Sequence, residues 1–367
     1  MTTQLKVGVV GGLGMMSSPM ARHWSIDGPV QVARVHDRGG RGELKDAYRQ
    51  AWREHGAELV SELSDVAAFD GCDGVFVCCG KNGDDLPIIV TLARAMRGRQ
   101  QRAFLCHLST VSVEFVEAAD VFCRALGVDY VNYPLTGGPL GAEKATMLIL
   151  CGGDFALYER LLPALSKLGV PRYFGANPAA ASKVKLIGHM MVFNGLIGIS
   201  SAAALHAECF QGGVLGGAQQ GEFFDFLNAG GGGTRQWEVA LSAGVRNDIW
   251  NAGFFLNHAV IDAIYAARLA LEHGTASLTV RPLLDVALAF SFILNNTGVS
   301  LATHSIVREL IASRAGELDK FMRENSAPSG DLEGCLEMCI RSLPPALQGQ
   351  VALNISLADF ERCYNGA

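Results

Sequence analysis

The spacing of hydrophobic and polar positions changes about halfway along the 367-residue chain. In the first half, apolar runs of strand length alternate with amphipathic stretches of helical period, a pattern typical of βαβ units around a parallel sheet. The runs predicted as strands are Val7–Val10, Val30–Val35, Gly74–Cys79, Ala103–Leu108, Asp129–Tyr133 and Thr146–Cys151. The stretches predicted as helices are Met20–Trp24, Leu44–Glu54, Leu86–Ala95, Val113–Leu126 and Phe155–Leu168.

After Tyr173 the strand-like runs give way to long stretches of helical period, beyond a Gly-Ala-Asn-Pro break near residue 177. These stretches are Ala202–Cys209, Glu222–Leu227, Phe254–Leu271 and Leu283–Leu294. The predicted fold is therefore α/β, with an N-terminal Rossmann-type doubly wound parallel sheet followed by an all-helical second domain. We predict domains at 1–177 and 178–316, and a helical C-terminal extension at 317–367.

The composition excludes several classes of protein. Hydrophobic residues make up 49% of the chain and charged residues 18%, which allows a large core and argues against disorder. Acidic residues outnumber basic ones by 36 to 30, which argues against a nucleic-acid-binding protein. We expect no secretory signal, because no basic segment precedes an apolar one at the N-terminus. Polar residues interrupt the apolar stretches 186–205 and 283–294, so we expect buried helices and no membrane span.

The ten cysteines favour a cytoplasmic protein with reduced thiols, because several lie in strand-like sequences of a long chain. Cys335 and Cys339 lie four residues apart and would share one face of a helix. No second pair matches them, so we predict no metal site.

A glycine-rich segment follows the first predicted strand directly. Gly12-x-Gly14-x-x-Ser17 is a dinucleotide-binding fingerprint in which serine replaces the third glycine. The first glycine permits a tight turn, the second lets the backbone approach a pyrophosphate, and the helix that follows would direct N–H groups at the phosphates. The predicted contacts are Gly12, Leu13, Gly14, Met15 and Met16. The alternative is an ordinary glycine-rich turn.

The end of the second predicted strand offers a choice between two cofactors. Asp37 lies where an acidic side chain would bind the adenosine ribose hydroxyls of NAD, whereas Arg38 and Arg41 would suit the 2′-phosphate of NADP. Asp37 could also be a solvated strand-end residue. We predict NAD, with NADP as the alternative, and we include Cys79 and Ser109 among the cofactor contacts.

Two further segments offer groups that bind anions. Ser109 and Thr110 follow a buried strand, at the carboxyl edge where parallel sheets bind ligands, and their hydroxyls could hold a carboxylate. Helix capping is the alternative for this segment, because Ser112 or Thr110 would start the next helix well. Thr136-Gly137-Gly138 offers backbone N–H groups with little side-chain obstruction, although it could be only a turn between strands.

Four segments of the chain, in order, resemble the β-hydroxyacid dehydrogenases, a family that includes 3-hydroxyisobutyrate dehydrogenase, tartronate semialdehyde reductase and 6-phosphogluconate dehydrogenase. The segments are Gly12–Ala21, Leu108–Ser112, Pro134–Ala142 and Ser182–Ile187. They are similar to the family's glycine-rich loop, its substrate-binding D-x-S-T-V-S-P loop, its P-V-S-G-G-x-x-G-A loop and its catalytic-lysine helix. The resemblance spans roughly residues 5–300 and implies a homodimer or homotetramer formed through the helical domain.

The resemblance implies that Lys185 is the catalytic general acid and base, because it keeps the family's distance from the Thr136 loop. Lys183 and Lys185 both enter an apolar helix, and burial there would lower a lysine pKa toward the range useful for proton transfer. Lys183 lies on another face of the helix, where we expect solvent or cofactor. The alternative for Lys185 is that its ammonium only extends to water.

The chain departs from the family pattern at several polar positions. His107 stands where the family has Asp, and Val113 where it has Pro. The family's Asn after the lysine is replaced, since Gly188 and His189 occupy those positions, and its later Lys-Asp pair is Ile261-Asp262. We predict that Ser109, Thr110, Thr136, Gly137, Gly138, His189 and Asp262 bind the substrate. His189 could replace the missing Asn or could be a satisfied core residue.

We therefore expect an NAD(P)-dependent oxidoreductase that transfers a hydride between the nicotinamide and a small β-hydroxyacid or its semialdehyde. Imine reductases share the fold that the resemblance implies, but they usually replace the lysine with Asp or Tyr. A cofactor-binding protein that has lost catalysis is the alternative of a different class.

Overall fold

The structure is a computed structural model, which describes residues 4–24, 27–38, 43–63, 69–297, 300–328 and 330–366. The chain forms two compact units. The first comprises residues 1–185 together with 352–367, and the second comprises residues 186–351.

A six-stranded parallel sheet is the centre of the first unit. Its strands are β1 (Leu5–Val10), β2 (Val30–His36), β3 (Glu58–Val60), β4 (Gly74–Val77), β5 (Phe104–His107) and β6 (Asp129–Asn132). Their order is β3-β2-β1-β4-β5-β6, and every neighbouring pair is parallel. This is the order of a dinucleotide-binding Rossmann sheet, so the predicted fold class of the first domain is confirmed. The chain reverses its direction of strand addition between β1 and β4, which places the ligand crevice at the carboxyl ends of those strands.

The central strands are long apolar runs because helices cover both faces of a doubly wound sheet. All four residues of β4 are buried, as are all four of β5. The helices of this unit up to residue 165 are α1 (Met20–His23), α2 (Glu43–Glu54), α3 (Asn82–Met96), α4 (Val113–Ala125), α5 (Gly138–Glu143) and α6 (Phe155–Leu165). The segment predicted as a helix at Met20–Trp24 forms only one turn.

A second, three-stranded sheet follows the Rossmann sheet in the chain. It consists of β7 (Leu135–Thr136), β8 (Met147–Cys151) and β9 (Gly169–Tyr173), with β7 antiparallel and β9 parallel to β8. Only β8 among these strands was predicted. The strand β7 has two residues, and β9 contains both glycine and proline, so neither has the continuous apolar pattern of a buried strand.

The described residues of the second unit form helices and loops, and their only β-type pairing is one isolated β-bridge between Phe255 and Ala302. This confirms the all-helical character predicted for the chain beyond the Rossmann sheet. Helix α7 (Ala180–Phe210) enters the unit, and α8 (Ala218–Asn228), a π-helical turn (Trp237–Leu241), α9 (Ser242–Asn247), α10 (Leu256–Glu272), α11 (Ser277–Asn296), a 3₁₀ helix (Thr303–Glu309), α12 (Ala312–Glu324), α13 (Leu332–Arg341) and α14 (Pro345–Val351) follow. The pair α10 and α11 forms its centre, and α13 packs on both.

The last helix, α15 (Leu357–Gly366), belongs to the first unit, where it packs on α3 and α4. The segment 317–367, predicted as one extension, is therefore shared between the two units. The predicted division at residue 177 lies eight residues before the point at which the first unit ends, Lys185.

Two helices are long and apolar enough, by length and composition alone, to cross a membrane. They are α7 and α11, and 61% of the apolar window of α11 is buried inside the protein, against 39% of that of α7. The interior position of α11 accounts for its hydrophobicity as a core helix.

Candidate active site at the carboxyl edge of the parallel sheet

The loop after β1 is packed so tightly that side chains at Gly11 and Gly12 would clash with their neighbours. Gly11 has a φ of +84°, and a Cβ there would lie 2.1 Å from the carbonyl oxygen of Cys78. A Cβ on Gly12 would lie 2.4 Å from Cγ1 of Val35, and one on Gly14 would lie 3.2 Å from the Gly11 carbonyl oxygen. Turns occupy residues 11–19, and only then does α1 begin. Because α1 has only four residues, a pyrophosphate would be bound mainly by the backbone amides of the loop.

Ser17, at the third position of the fingerprint, is completely buried, and its hydroxyl donates to the Gly11 carbonyl oxygen. The serine thus closes the loop on itself. Leu13 is buried, Met16 is partly buried, and Met15 is 40% exposed on the outside of the loop. The residues present fit a dinucleotide, because the loop keeps small residues at the positions where the fingerprint needs them.

Asp37 lies beside this loop, at the carboxyl end of β2. Its Oδ2 accepts a hydrogen bond from the backbone N–H of Leu13 at 3.2 Å, and its Oδ1 lies 3.3 Å from Nζ of Lys45. The carboxylate therefore anchors the glycine-rich loop as well as lying where a ribose would bind. Arg38 is 69% exposed and lies 3.5 Å from Asp84, and Arg41 lies outside the described residues.

The loops after β4 and β5 are joined by a hydrogen bond between two predicted cofactor residues. The backbone N–H of Cys79 donates to Oγ of Ser109 at 3.1 Å, and Ser109 is buried. A second bridge joins Asn82 to Ser112, whose N–H donates to Oδ1 of Asn82 at 3.0 Å. Ser112 also caps α4 by accepting from Phe115 N–H. Capping thus falls to Ser112, while Ser109 contacts the neighbouring loop and Thr110 is half-buried between them.

Lys185 lies against the loop that the sequence paired with it. Its Nζ donates to the carbonyl oxygen of Leu135 at 2.6 Å and to Oγ1 of Thr136 at 2.9 Å, and the residue is only 7% exposed. The side chain of Lys183, in contrast, is 32% exposed, and its Nζ lies 3.9 Å from Oε1 of Glu117. Two residues of the same helix therefore separate a buried, hydrogen-bonded ammonium from a partly exposed one.

The segment after Thr136 leads into a helix, not into a second strand. Gly137 and Gly138 have φ values of +129° and +63°, and α5 begins at Gly138. Both glycines adopt conformations that L side chains rarely reach, which explains why glycine is needed at these positions. The start of α7 is fixed nearby, since Oγ of Ser182 donates to the carbonyl oxygen of Val111 in the β5 loop.

His189 and Asp262 lie together in the second unit. Nδ1 of His189 is 3.3 Å from Oδ2 of Asp262, within ion-pair distance although not aligned as a hydrogen bond, and their side chains are 7% and 2% exposed. The rings of Phe193 and Phe254 each lie 5.6 Å from the imidazole. The sequence assigned both polar residues to the substrate site without predicting that they would pair.

Sequence reasoning missed the polar residues that connect the loops. Asn132 donates to the carbonyl oxygens of both His107 and Ser109 at 3.0 Å, and Trp52 donates to the Gly12 carbonyl oxygen at 2.8 Å. Asn82 could have been suspected, because a polar residue after a buried strand and before a helix is a capping candidate.

The cysteines near the site are protonated at neutral pH. Burial raises the pKa of Cys78 to about 12, and burial together with the Asp85 charge holds the pKa of Cys79 well above its usual value. The ten cysteines form no disulfide. Among the described residues, no group of three His, Cys, Asp or Glu side chains is arranged to hold a metal ion.

Comparison with known proteins gives the class to which this site belongs. Residues 6–184 match the family model of the NAD-binding domain of 6-phosphogluconate dehydrogenase. Residues 6–184 of the first unit are therefore similar to that NAD-binding domain, and the prediction of a nicotinamide cofactor is confirmed. The chain is similar to named dehydrogenases and reductases, as the four sequence motifs predicted.

Particular relatives narrow the comparison. The chain is 27% identical over 217 residues to 2-(hydroxymethyl)glutarate dehydrogenase of Eubacterium barkeri, a match that covers 57% of this chain and 66% of the relative. It is 46% identical over 171 residues to 2-hydroxy-3-oxopropionate reductase of Escherichia coli, covering 45% and 52%. These matches span about half to two thirds of the relatives' length.

The solved structure of 3-hydroxyisobutyrate dehydrogenase from Mycobacterium tuberculosis shares the fold. Its TM-score is 0.67 at 18% sequence identity, and the match covers 84% of this chain and all of that structure. At this identity the likeness concerns the fold alone.

Proposed function

We propose that the protein transfers a hydride between NAD and a small β-hydroxyacid or its semialdehyde, with Lys185 as the general acid and base. The observation that carries this proposal is the buried Nζ of Lys185, which donates to Leu135 O at 2.6 Å and to Thr136 Oγ1 at 2.9 Å. Two fixed acceptors orient the amine at the carboxyl edge of the NAD-binding unit. A lysine with no role in proton transfer would have less reason to be buried, because burial of an ammonium is costly.

In the proposed reaction the nicotinamide, when bound, supplies the hydride acceptor or donor. Lys185 removes the proton from the substrate hydroxyl during oxidation and returns it during reduction. Its ammonium form also stabilises the negative charge that develops on the substrate oxygen. The bonds to Leu135 and Thr136 hold Nζ in place through both steps, so little reorganisation is needed when the proton moves.

The acid group of the substrate would bind to Ser109, Thr110 and the Gly137–Gly138 backbone. Both glycines have positive φ values, so their backbone N–H groups do not point as they would in an ordinary strand. The names of the relatives support a small acid, because 2-(hydroxymethyl)glutarate and 2-hydroxy-3-oxopropionate are both carboxylates.

We extend the proposal to a homodimer or homotetramer in the cytoplasm. Large apolar side chains of the second unit are exposed, namely Met191, Leu205, Phe210, Phe226 and Leu278. Exposed apolar side chains of this size favour an interface between subunits. Ten cysteines without a disulfide suit a reducing compartment.

The test is the oxidation of NADH with a panel of small semialdehydes, followed by the reduction of NAD with the corresponding β-hydroxyacids. We expect turnover with at least one acid and none with its neutral analogue, because the neutral analogue lacks the group that Ser109 and the Gly137–Gly138 backbone would bind. Turnover of cyclic imines in place of semialdehydes would favour the imine reductase alternative. Tight NADH binding without any turnover would favour a cofactor-binding protein that has lost catalysis.

A further inference from the structure

Three polar side chains form a buried chain beneath the loops of the NAD-binding unit. Nε2 of His107 lies 2.8 Å from Oδ2 of Asp85, and Nδ1 of the same ring lies 2.8 Å from the hydroxyl of Tyr130. Asp85 and His107 are completely buried, and Tyr130 is 5% exposed. A buried carboxylate is costly unless hydrogen bonds satisfy it, and each oxygen of Asp85 has a hydrogen-bond partner.

One arrangement of protons satisfies all three groups. Burial raises the pKa of Tyr130 well above its usual value, so its hydroxyl keeps its proton. In the neutral Nε2–H tautomer, His107 donates to Asp85 and accepts at Nδ1 from Tyr130. The histidine, on β5, thereby connects the Asp85 side chain, on α3, to Tyr130 on β6.

The other carboxylate oxygen of Asp85 binds the backbone of the loop that follows β4. Oδ1 accepts from the N–H of Gly80 at 2.8 Å, directly after Cys79, whose own N–H donates to Ser109. Asp85 lies in the first turn of α3, with its N–H bonded to Lys81 O, so the side chain folds back over the loop. The Cys79–Gly80 turn is therefore held by two side chains, one from each neighbouring element.

The position of this turn in the sheet indicates which half of the cofactor it faces. Asp37 ends β2 on one side of β1, and the glycine-rich loop follows β1 itself. The Cys79–Gly80 turn follows β4 on the opposite side of β1. A dinucleotide that places its adenosine ribose at β2 and its pyrophosphate at β1 extends its nicotinamide half toward β4 and β5.

We infer that Asp85, held by His107 and Tyr130, is a positioning residue that fixes the Cys79–Gly80 turn for the nicotinamide half of NAD. The inference rests on the proposed function only in taking NAD as the cofactor. It also gives His107 a role. Where the related family has an acid at this position, this chain has a histidine, and the carboxylate comes from α3 instead.

The experiment compares a whole dinucleotide with its adenosine half. Wild type, Asp85→Ala and Asp85→Asn are titrated by calorimetry with NADH and with 5′-AMP, which lacks the nicotinamide. We expect Asp85→Ala to weaken NADH binding at least tenfold and to leave 5′-AMP binding within twofold. Asp85→Asn should stay within about threefold for both ligands, because its Oδ1 still accepts from Gly80 and its amide can donate to the other tautomer of His107.

A matched pair of tyrosines keeps the test decisive if Asp85→Ala does not fold. Tyr130→Phe removes a hydroxyl bonded to His107, whereas Tyr133→Phe removes a buried hydroxyl that has no hydrogen-bond partner among the described residues. We expect weaker NADH binding, by about threefold, in Tyr130→Phe only.

Unchanged NADH binding in Asp85→Ala would overturn the inference, and so would equal losses of NADH and 5′-AMP, which would indicate general damage to the unit. If Asp85→Ala does not fold, equal NADH binding in the two tyrosine variants would overturn it. No substrate is used, so a wrong substrate assignment cannot be mistaken for a failure of this role.

Discussion

Replacement of Lys185 by Met tests the proposed proton transfer most directly. Methionine has a similar length and keeps the hydrophobic stem, but it removes the amine that donates to Leu135 O and Thr136 Oγ1. Proton-transfer catalysis is worth about 10²–10⁴ in rate, which corresponds to about 2.7–5.4 kcal/mol of activation free energy. We expect kcat to fall by that factor while the dissociation constant of NADH changes no more than a few-fold.

Lys183→Met is the matched control, on the same helix and with the same chemical change. Lys183 lies 3.9 Å from Glu117, with side chains that are 32% and 52% exposed, and a surface pair of this kind contributes about 0–1 kcal/mol to stability. We expect this variant to retain most of its activity. Thr136→Val should lie between the two, at about a tenfold loss, because one of the two acceptors that orient the amine remains.

Steady-state kcat and KM, with NADH affinity measured separately, distinguish loss of chemistry from loss of binding. Equal losses of kcat in Lys183→Met and Lys185→Met would show that the alignment of Lys185 with the family's catalytic lysine is wrong. Full activity in Lys185→Met would refute the role of this helix in catalysis altogether.

Three further outcomes follow from the geometry. Asp37→Ala should weaken NAD binding and narrow the difference from NADP, and a wild-type protein that binds NADP tenfold tighter, about 1.4 kcal/mol, would contradict the preference. Light scattering at micromolar concentration should give at least a dimer, and a monomeric mass would refute the proposed assembly. Burial lowers the pKa of His304 despite its bond to Ile249 O, so the unfolded chain takes up this proton first as the pH falls. The free energy of unfolding, measured by urea denaturation, should therefore decrease from about pH 7 to 5, and it should decrease less steeply in His304→Gln than in the wild type.

The sequence predicted the strands that are buried on both faces of the parallel sheet. The central strands β1, β4 and β5 are mostly apolar and almost entirely buried because helices cover both faces of the sheet. The strand β3, with three residues at the edge of the sheet, has no such run and was missed. Tertiary pairing, not local preference, makes such a segment a strand.

The position of the candidate site was predictable for a related reason. In an open parallel sheet, the loops that follow strands meet at one edge, so Gly12, Cys79, Ser109 and Thr136 could be assigned to one region from their order alone. The side-chain bonds that fix those loops were not predictable. The bond between Asn82 and Ser112 joins residues 30 positions apart, and the local pattern around either residue contains no sign of the other.

The C-terminal extension shows the same limit on a larger scale. Its last helix, α15, is short and amphipathic, and a few aromatic residues on a polar helix could pack against many surfaces. In the structure Phe360 lies 5.3 Å from the ring of Phe115 and 5.4 Å from that of Phe122, both on α4, while the guanidinium of Arg94 on α3 stacks over Tyr364. Because α3 and α4 begin after the loops that carry Cys79 and Ser109, α15 supports the two helices next to the loops that we propose to contact NAD.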